Sequence, residues 1–279
     1  MPVSSLLGPF SMALRDRLRR LIQRPTRFAS VALPGASVLM ARCEGRDQVL
    51  EQVLRAGWED FERPLPRVFR NAVLQSAGLI VDVGANTGLY SLIAGRCGRA
   101  VMAFEPVPAI REILQRNVDA NRLERAITVM SAALSDRDGC GTLFLPDPSH
   151  GLIETSASLD AEFQAHAYTI AVMTTSLDRL VDAATKAGVI KIDAEGHEAA
   201  VLRGAAGVIE RDRPVLFVEV LPRAEMGFLN ELLLRLDYID VPLVADASLA
   251  VAAEVRFVPD AWNHAFLPRE RGLAMLGMG

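Results

Sequence analysis

Residues 79–88 read LIVDVGANTG, and this stretch decides the fold. It joins a short apolar run, typical of a buried strand, to a turn that contains Gly84 and Gly88. The residues that follow, LYSLIAGRCG, have the spacing of a helix. A strand, a glycine turn and a helix in succession predict the first unit of a parallel α/β sheet, with a ligand held at the turn. Glycine suits this turn because it tolerates positive φ and leaves room for a ligand beside the backbone.

Strand and helix patterns alternate through the rest of the chain. The strand patterns are AVMAFEP, AITVMSAALSD, VIKIDAEG and PVLFVEV, and the helical patterns between and after them include PAIREILQRNVDANR, EAAVLRGAAGVIE and AEMGFLNELLLRLD. This alternation implies right-handed βαβ units and a mostly parallel sheet. GTLFLPD and YTIAVMTTS read as short strands around a polar loop over residues 148–166, and YIDVPLV and NHAFLP read as the final strands.

The first 76 residues lie outside this alternation. We interpret residues 1–76 as an N-terminal extension or cap and residues 77–279 as the catalytic domain. Apolar residues recur at helical spacing over residues 14–22 with arginines between them, which predicts a basic amphipathic helix. The rest of the extension is rich in turn residues and has no strong period.

Composition limits the partners and the compartment. The formal net charge is −4, so we expect no nucleic-acid binding, which needs clustered Lys and Arg. We expect no signal peptide, and because no window offers about 18 uninterrupted apolar residues, we expect no membrane role. The three cysteines match no zinc or redox spacing, which favours reduced thiols in the cytoplasm. The expected partner is a small molecule or a glycan that serves as the substrate. A homo-oligomer is compatible with the sequence.

An acidic residue completes the cofactor pattern. Glu105 ends the second strand pattern, 21 positions after Gly84, where a carboxylate can grip the hydroxyls of a ribose. Together the turn and the acid indicate an adenosine-type cofactor. Asn86 stands where a pyrophosphate site would need glycine, and the Asp82 carboxylate would repel a pyrophosphate while suiting a sulfonium and an ammonium group. These details favour S-adenosylmethionine (SAM) over a dinucleotide.

Several motifs together resemble a known family, the FkbM-type methyltransferases of the class I SAM-dependent enzymes. The resemblance covers roughly residues 79–222. It is carried by VDVGANTGLYS, FEP at 104–106, ALSD at 133–136, TSLDRL at 175–180, IKIDAEGHEAAVLRGA at 190–205 and PVLFVEV.

The resemblance implies an α/β, Rossmann-like sheet, mostly parallel with a final antiparallel strand, to which the N-terminal extension adds helix. It also implies which residues bind SAM, whose product after methyl transfer is S-adenosylhomocysteine. Glu105, with Pro106 beside it, would hold the ribose, and Ala133 and Asp136 would border the adenine. The amino-acid part of SAM would be cradled by the turn residues Asp82, Gly84, Ala85, Asn86, Thr87 and Gly88.

The motif IKIDAEGHE supplies the candidate catalytic residues Asp193, Glu195 and His197. They follow a strand at the carboxyl edge of the sheet, where ligands of such sheets bind. If the strand continues, Asp193 and Glu195 alternate along it and face one side together. His197 is the preferred general base, because an imidazole titrates near neutral pH. Glu198 is expected in the first turn of the next helix.

Methyl transfer to a hydroxyl needs a group that removes the proton of the acceptor. The sequence therefore predicts a SAM-dependent O-methyltransferase for a small molecule, a sugar or a polyketide-like natural product. A side-chain base is expected to activate the acceptor, and the alternative is a divalent metal held by Asp193 and Glu195, with Glu219 as a further candidate ligand. Two other functions are weighed against this one: an NAD-dependent oxidoreductase, and a non-catalytic binding protein on the same fold.

Overall fold

The structure is a computed structural model that describes residues 27–147, 153, 156–245 and 248–277. The basic helix predicted over residues 14–22 lies outside the described residues, as does part of the loop predicted over residues 148–166. No helix in the described ranges is long and apolar enough to cross a membrane.

The described strands and helices follow the predicted alternation. In chain order the strands are β1 (Phe28–Leu33), β2 (Ala36–Ala41), β3 (Leu79–Val83), β4 (Val101–Phe104), β5 (Ile127–Met130), β6 (Ala133–Leu134), β7 (Gly139–Leu145), β8 (Tyr168–Thr175), β9 (Ala187–Ile192), β10 (Val215–Glu219), β11 (Tyr238–Pro242) and β12 (Asn263–Pro268). The α-helices are α1 (Gln48–Ala56), α2 (Leu65–Gln75), α3 (Leu89–Arg96), α4 (Pro108–Ala120), α5 (Leu177–Leu180), α6 (Glu198–Gly204), α7 (Ala206–Asp212) and α8 (Met226–Leu236). Short 3₁₀ helices occupy Cys43–Gly45 and Gly272–Leu276.

Seven of the described strands form the main sheet in the order β11-β12-β10-β9-β3-β4-β5. β12 runs antiparallel to β10 and β11, while the pairs from β10 to β5 are parallel. All six residues of β9 are buried, as a parallel strand covered on both faces requires. This is the predicted class I methyltransferase sheet with its final antiparallel strand. The parallel strands bring the ends of β3, β4, β9 and β10 to one edge.

A small second sheet stands beside this edge, with described strand order β6-β8-β7. The third predicted strand, AITVMSAALSD, is in fact two strands. The chain bends after Met130, so that β5 completes the main sheet and β6 pairs with β8. The single helix predicted from EAAVLRGAAGVIE is likewise divided at Ala205 into α6 and α7.

The described part of the N-terminal extension, residues 27–76, packs into the same core as the main sheet. β1 and β2 form an antiparallel hairpin, and their inward residues join α1, α2 and α3 in one apolar cluster on one face of the sheet. The Phe69 ring of α2 contacts Phe217 of β10 at 5.6 Å and Tyr90 of α3 at 5.2 Å between centroids. A second apolar cluster covers the other face, beneath α6, α7 and α8. The division into an extension and a catalytic domain over residues 77–279 stays a prediction. Helix α1 and the loop after it reach the carboxyl edge of the main sheet.

Candidate active site

The turn between β3 and α3 is built from left-handed backbone. Gly84, Asn86 and Gly88 have φ angles of 71°, 50° and 100°. A Cβ on Gly84 would lie 1.8 Å from the carbonyl oxygen of Asp193, and one on Gly88 would lie 2.3 Å from Cδ1 of Leu114. The positive φ angles agree with the sequence interpretation. The space beside the two glycines was expected to admit a ligand. Atoms of Asp193 and Leu114 occupy it instead.

Glu105 joins this turn to the end of β4. Its Oε2 accepts a hydrogen bond from the Asn86 N–H at 3.0 Å, and its Oε1 accepts one from the Val107 N–H at 2.9 Å. Burial raises the pKa of Glu105 from 4.5 to about 7, against the opposing effect of these two N–H groups. Each oxygen keeps a second lone pair, so the carboxylate can still accept two hydroxyl groups.

A cavity of about 270 Å³ opens at the carboxyl edge of the sheet, over the turn and Glu105. Most of the residues predicted from the sequence lie together on its wall. They are Gly84, Ala85, Asn86, Thr87, Gly88, Glu105, Pro106, Ala133, Asp193, Glu195 and His197. The apolar part of the wall includes Val107, Ile110, Leu134 and Leu143.

Two of the predicted cofactor residues are not on that wall. Asp82 is 1% exposed and lies within β3, where its Oδ2 accepts the Ser91 Oγ–H at 2.6 Å. Its Oδ1 has no hydrogen-bond partner among the described residues. Asp136 is exposed and accepts from Ser135 Oγ at 3.3 Å. Burial raises the pKa of Asp82, against the opposing charge of Lys191. The contact of Asp136 with adenine stays a prediction, since Asp136 is not on the cavity wall.

The segment after β9 is a turn rather than a continued strand. β9 ends at Ile192, and Glu195 and Gly196 have left-handed φ angles of 52° and 90°. The strand does not continue to Asp193 and Glu195, so the condition for their alternation is not met, although both line the cavity. Glu198 begins α6 as predicted, and its Oε1 accepts the N–H groups of Ala194 at 2.9 Å and Gly196 at 3.1 Å. These two hydrogen bonds fix the turn.

His197 precedes α6 and faces the segment after β6. Its Nε2 lies 2.9 Å from Ser135 Oγ. The two segments meet because Gly204 lacks a side chain: a Cβ there would lie 1.9 Å from the carbonyl oxygen of Ser135. Burial lowers the pKa of His197, and the carboxylates of Asp136 and Asp160 oppose this effect only in part. The imidazole is thus held neutral near pH 7, the form that can take up a proton.

Lys191 is a buried cation beneath the cavity. Its Nζ lies 2.8 Å from Asp193 Oδ2 and 4.8 Å from the centre of the Tyr90 ring. Burial alone would lower its pKa, but the carboxylates of Asp193, Asp82 and Glu62 outweigh burial and raise it. Lys191 is therefore charged, and Asp193 is the carboxylate that contacts its ammonium group.

Glu219 adds another carboxyl group at the end of β10. It lines the cavity, and its Oε2 is buried without a hydrogen-bond partner among the described residues. Burial, together with the charges of Asp193, Glu195 and Glu198, raises the pKa of Glu219 to about 10, against the opposing charge of Lys191. In the described ranges, no group of three or more His, Cys, Asp or Glu side chains is arranged to hold a metal ion.

The extension supplies cavity residues that the sequence analysis missed. They are Gln48, Val49, Gln52, Phe61 and Glu62. Nothing in their sequence pattern marks them, because they enter the site only through tertiary packing. Lys191 and Tyr90 were missed as well. A lysine inside the apolar strand pattern VIKID was a usable signal, since a fully buried lysine is rare unless it is paired.

Comparison with known families decides the class of enzyme. The sequence profile of the methyltransferase FkbM domain matches residues 82–239, more than half of the chain. The protein belongs to the FkbM methyltransferase family. The matched region of this FkbM methyltransferase begins at Asp82, so the extension lies outside it.

Curated relatives match this FkbM methyltransferase over short stretches. The AMB antimetabolite synthetase AmbE of Pseudomonas aeruginosa is 44% identical over 68 residues, which are 24% of this chain and 3% of AmbE. Methyltransferase sdnD of Sordaria araneosa is 37% identical over 70 residues, which are 24% of this chain and 27% of sdnD. The matches therefore span less than a third of the length of either relative.

Solved structures similar to this FkbM methyltransferase are distant in sequence. Methyltransferase FkbM from Methylobacillus flagellatus KT has 21% identity and a TM-score of 0.43, over 68% of this chain and 42% of that chain. TYW2 of M. jannaschii, solved in complex with AdoMet, has 11% identity and a TM-score of 0.42, over 87% of this chain and 85% of that chain. At these scores the likenesses add no argument to the family match.

Proposed function

We propose that this methyltransferase uses SAM to methylate a hydroxyl group of a small molecule, sugar or polyketide-like natural product. The observation that carries the proposal is one cavity that joins a buried ribose-type carboxylate, Glu105, to a strongly acidic wall.

The residues of the cavity fit SAM in shape and charge. Each Glu105 oxygen can accept a hydrogen bond from one ribose hydroxyl, because each accepts only one backbone N–H. Elsewhere on the wall, the acidic side chains Glu62, Asp193, Glu195 and Glu219 accompany the ammonium group of Lys191, so acidic groups are in excess. A ligand with a sulfonium and an ammonium group would lower this excess, whereas a pyrophosphate would increase it.

Bound SAM supplies an electrophilic methyl group, and the protein has to place and deprotonate the acceptor. We assign the general base to His197, which is neutral near pH 7 and lines the cavity. Ser135 holds the ring of His197 from one side. Asp193 and Glu195 stand on the same wall, where they can orient an acceptor hydroxyl.

The first experiment asks which cofactor binds. We expect calorimetry to show binding of SAM and S-adenosylhomocysteine but not of NAD. SAM at a hundredfold excess over its dissociation constant should stabilise the fold by about 2.7 kcal/mol. Binding of NAD in place of SAM would favour the oxidoreductase alternative and contradict the proposal.

The second experiment asks for the reaction. The protein is incubated with methyl-labelled SAM and candidate hydroxylated acceptors, and products are identified by mass spectrometry. We expect label on a hydroxyl oxygen, with turnover reduced in His197→Ala and Glu195→Gln and unchanged in His166→Ala, a substitution at an exposed loop position. Turnover that persists in both cavity variants but stops on chelation would support the metal alternative over a side-chain base.

We extend the proposal to compartment and partners. Cys43, Cys97 and Cys140 are free thiols, which suits the reducing cytoplasm. We propose an acceptor of low molecular weight or a glycan, and no nucleic-acid partner, in keeping with the net charge of −4.

A further inference from the structure

Glu62 reaches the cavity from the loop between α1 and α2. It lies outside residues 82–239, the region shared with the family. The backbone of Glu62 has a φ angle of 48°, a conformation that residues other than glycine rarely adopt. Such conformations persist only where the surrounding structure imposes them, and they are common at functional sites.

Three contacts connect Glu62 with the carboxyl edge of the sheet. Tyr90 Oη donates a hydrogen bond to Glu62 Oε2 at 2.7 Å. The face of the Tyr90 ring is turned to Lys191 Nζ, which lies 4.8 Å from its centre. Lys191 Nζ then donates to Asp193 Oδ2 at 2.8 Å. As a whole residue Glu62 is exposed, but its carboxylate is turned inward to Tyr90.

The charges along this connection explain why Glu62 matters. Lys191 is paired with Asp193 on the cavity wall, and the charges of Asp82 within β3 and Glu62 in the extension also raise its pKa. Burial raises the pKa of Glu62, and the charge of Lys191 opposes this effect. Without the charge of Glu62, the positive charge of Lys191 would offset a larger share of the negative potential that Asp193 and Asp82 create in the cavity. The cavity would then attract a positively charged ligand less strongly, while its shape would stay the same.

We infer that Glu62 is a positioning residue of the methyl-donor site, which balances Lys191 across Tyr90 and so keeps the cavity selective for a positively charged sulfur. The inference rests on the proposed use of SAM. It adds a residue of the N-terminal extension to that site, and it concerns the difference between SAM and its uncharged-sulfur product.

The test compares the affinities for SAM and S-adenosylhomocysteine in the full-length protein by calorimetry. Glu62→Gln keeps an oxygen that can accept from Tyr90 and removes the charge. Tyr90→Phe keeps the ring beside Lys191 and removes the hydroxyl that holds Glu62. Glu59→Gln is the matched control, because it removes the same charge from an exposed position three residues away.

We expect the ratio of SAM affinity to S-adenosylhomocysteine affinity to fall about fivefold in Glu62→Gln. The ratio should fall in the same direction in Tyr90→Phe and stay within twofold of the parent in Glu59→Gln. Equal weakening of both ligands, or no change in the ratio, would overturn the inference while leaving the proposed function intact. Absence of binding of both ligands to the parent protein would instead overturn the proposed function.

Discussion

Carboxyl groups held away from water determine the behaviour of the cavity at the scale of single residues. Glu105 and Glu198 are both buried, and burial raises the pKa of each from 4.5 to about 7. Both accept hydrogen bonds from two backbone N–H groups. Their protonation therefore changes within the physiological pH range, where it affects both ligand binding and stability.

We expect SAM affinity to depend on the protonation of Glu105. The ionised carboxylate accepts ribose hydroxyls, and it takes up a proton as the pH falls through about 7. Affinity should therefore fall by up to about tenfold per pH unit below that value. Calorimetry at pH 6, 7 and 8 measures this, with Glu124→Gln as an exposed control. A flat affinity profile in the parent protein would contradict the role given to Glu105.

The substitution Glu198→Gln should stabilise the protein at high pH. The folded-state pKa of Glu198 is raised, so its contribution to stability is fully present below about pH 4.5 and lost as the pH rises through about 7. Glutamine keeps the oxygen that accepts both N–H groups and does not ionise. We expect a gain of about 1–3 kcal/mol at pH 8 and little change at pH 4.5. Urea unfolding at both pH values provides the measurement, and an equal effect at both would refute this account.

At the scale of elements, the site depends on turns that approach one another closely. The turn after β3 meets the turn after β9 at Gly84, and the segment after β6 meets α6 at Gly204. Both approaches leave no room for a side chain. They hold the turn after β3, the turn after β9 and Ser135 in one arrangement, so a change in one turn disturbs the others.

A pair of glycine substitutions separates this packing from backbone strain. Gly84 and Gly98 have similar φ angles of 71° and 75°, but only Gly84 has an atom within 4 Å of the position of a Cβ. We expect Gly98→Ala to cost about 1 kcal/mol of unfolding free energy and Gly84→Ala about 3 kcal/mol or more, with loss of SAM binding. Denaturant unfolding and calorimetry check both values. Similar costs at the two positions would show that the contact with Asp193 is unimportant.

The elements that could be predicted from sequence are those with a strong local signal. The glycine turn, the continuous apolar run of β9 and the final strands β11 and β12 carry such signals, and the class I sheet followed from them. The division of the third strand into β5 and β6 had no such signal, because both halves are apolar and the bend depends on the neighbouring sheet. Glu62 was also out of reach, since its place beside Tyr90 depends on contacts 28 residues apart in the chain.

For the whole molecule, the extension and the main sheet share one apolar core. Inward residues of β1, β2, α1 and α2 belong to the same cluster as those of α3 and α4. Asn117 of α4 strengthens the connection, since its amide accepts the Ala41 N–H at 2.7 Å and donates to the Thr87 carbonyl at 2.7 Å. The hairpin is thus tied to the cofactor turn through a single buried side chain.

We expect a chain that begins at residue 77 to lack a cooperative unfolding transition, because it would expose the apolar face that the extension covers. A chain that begins at residue 27 should unfold cooperatively and keep SAM binding. Near-ultraviolet circular dichroism during denaturation, together with calorimetry, distinguishes the two. Native-like folding and binding by the shorter chain would mark the extension as a separable cap.

Residues 158 and 163, in the described part of the segment after β7, contact the turn that follows β9. Ser158 Oγ donates to the carbonyl oxygen of Glu195 at 2.6 Å, and Phe163 packs where a Cβ of Gly196 would lie. Ala157 and Leu159 of the same segment line the cavity. Because the anchoring partners are a backbone carbonyl and a glycine, substitutions at the lining positions leave those anchors in place. The side chains that this segment presents to an acceptor can therefore change during evolution while the turn after β9 stays in place. Libraries randomised at positions 157 and 159 are the natural starting point for changing acceptor specificity.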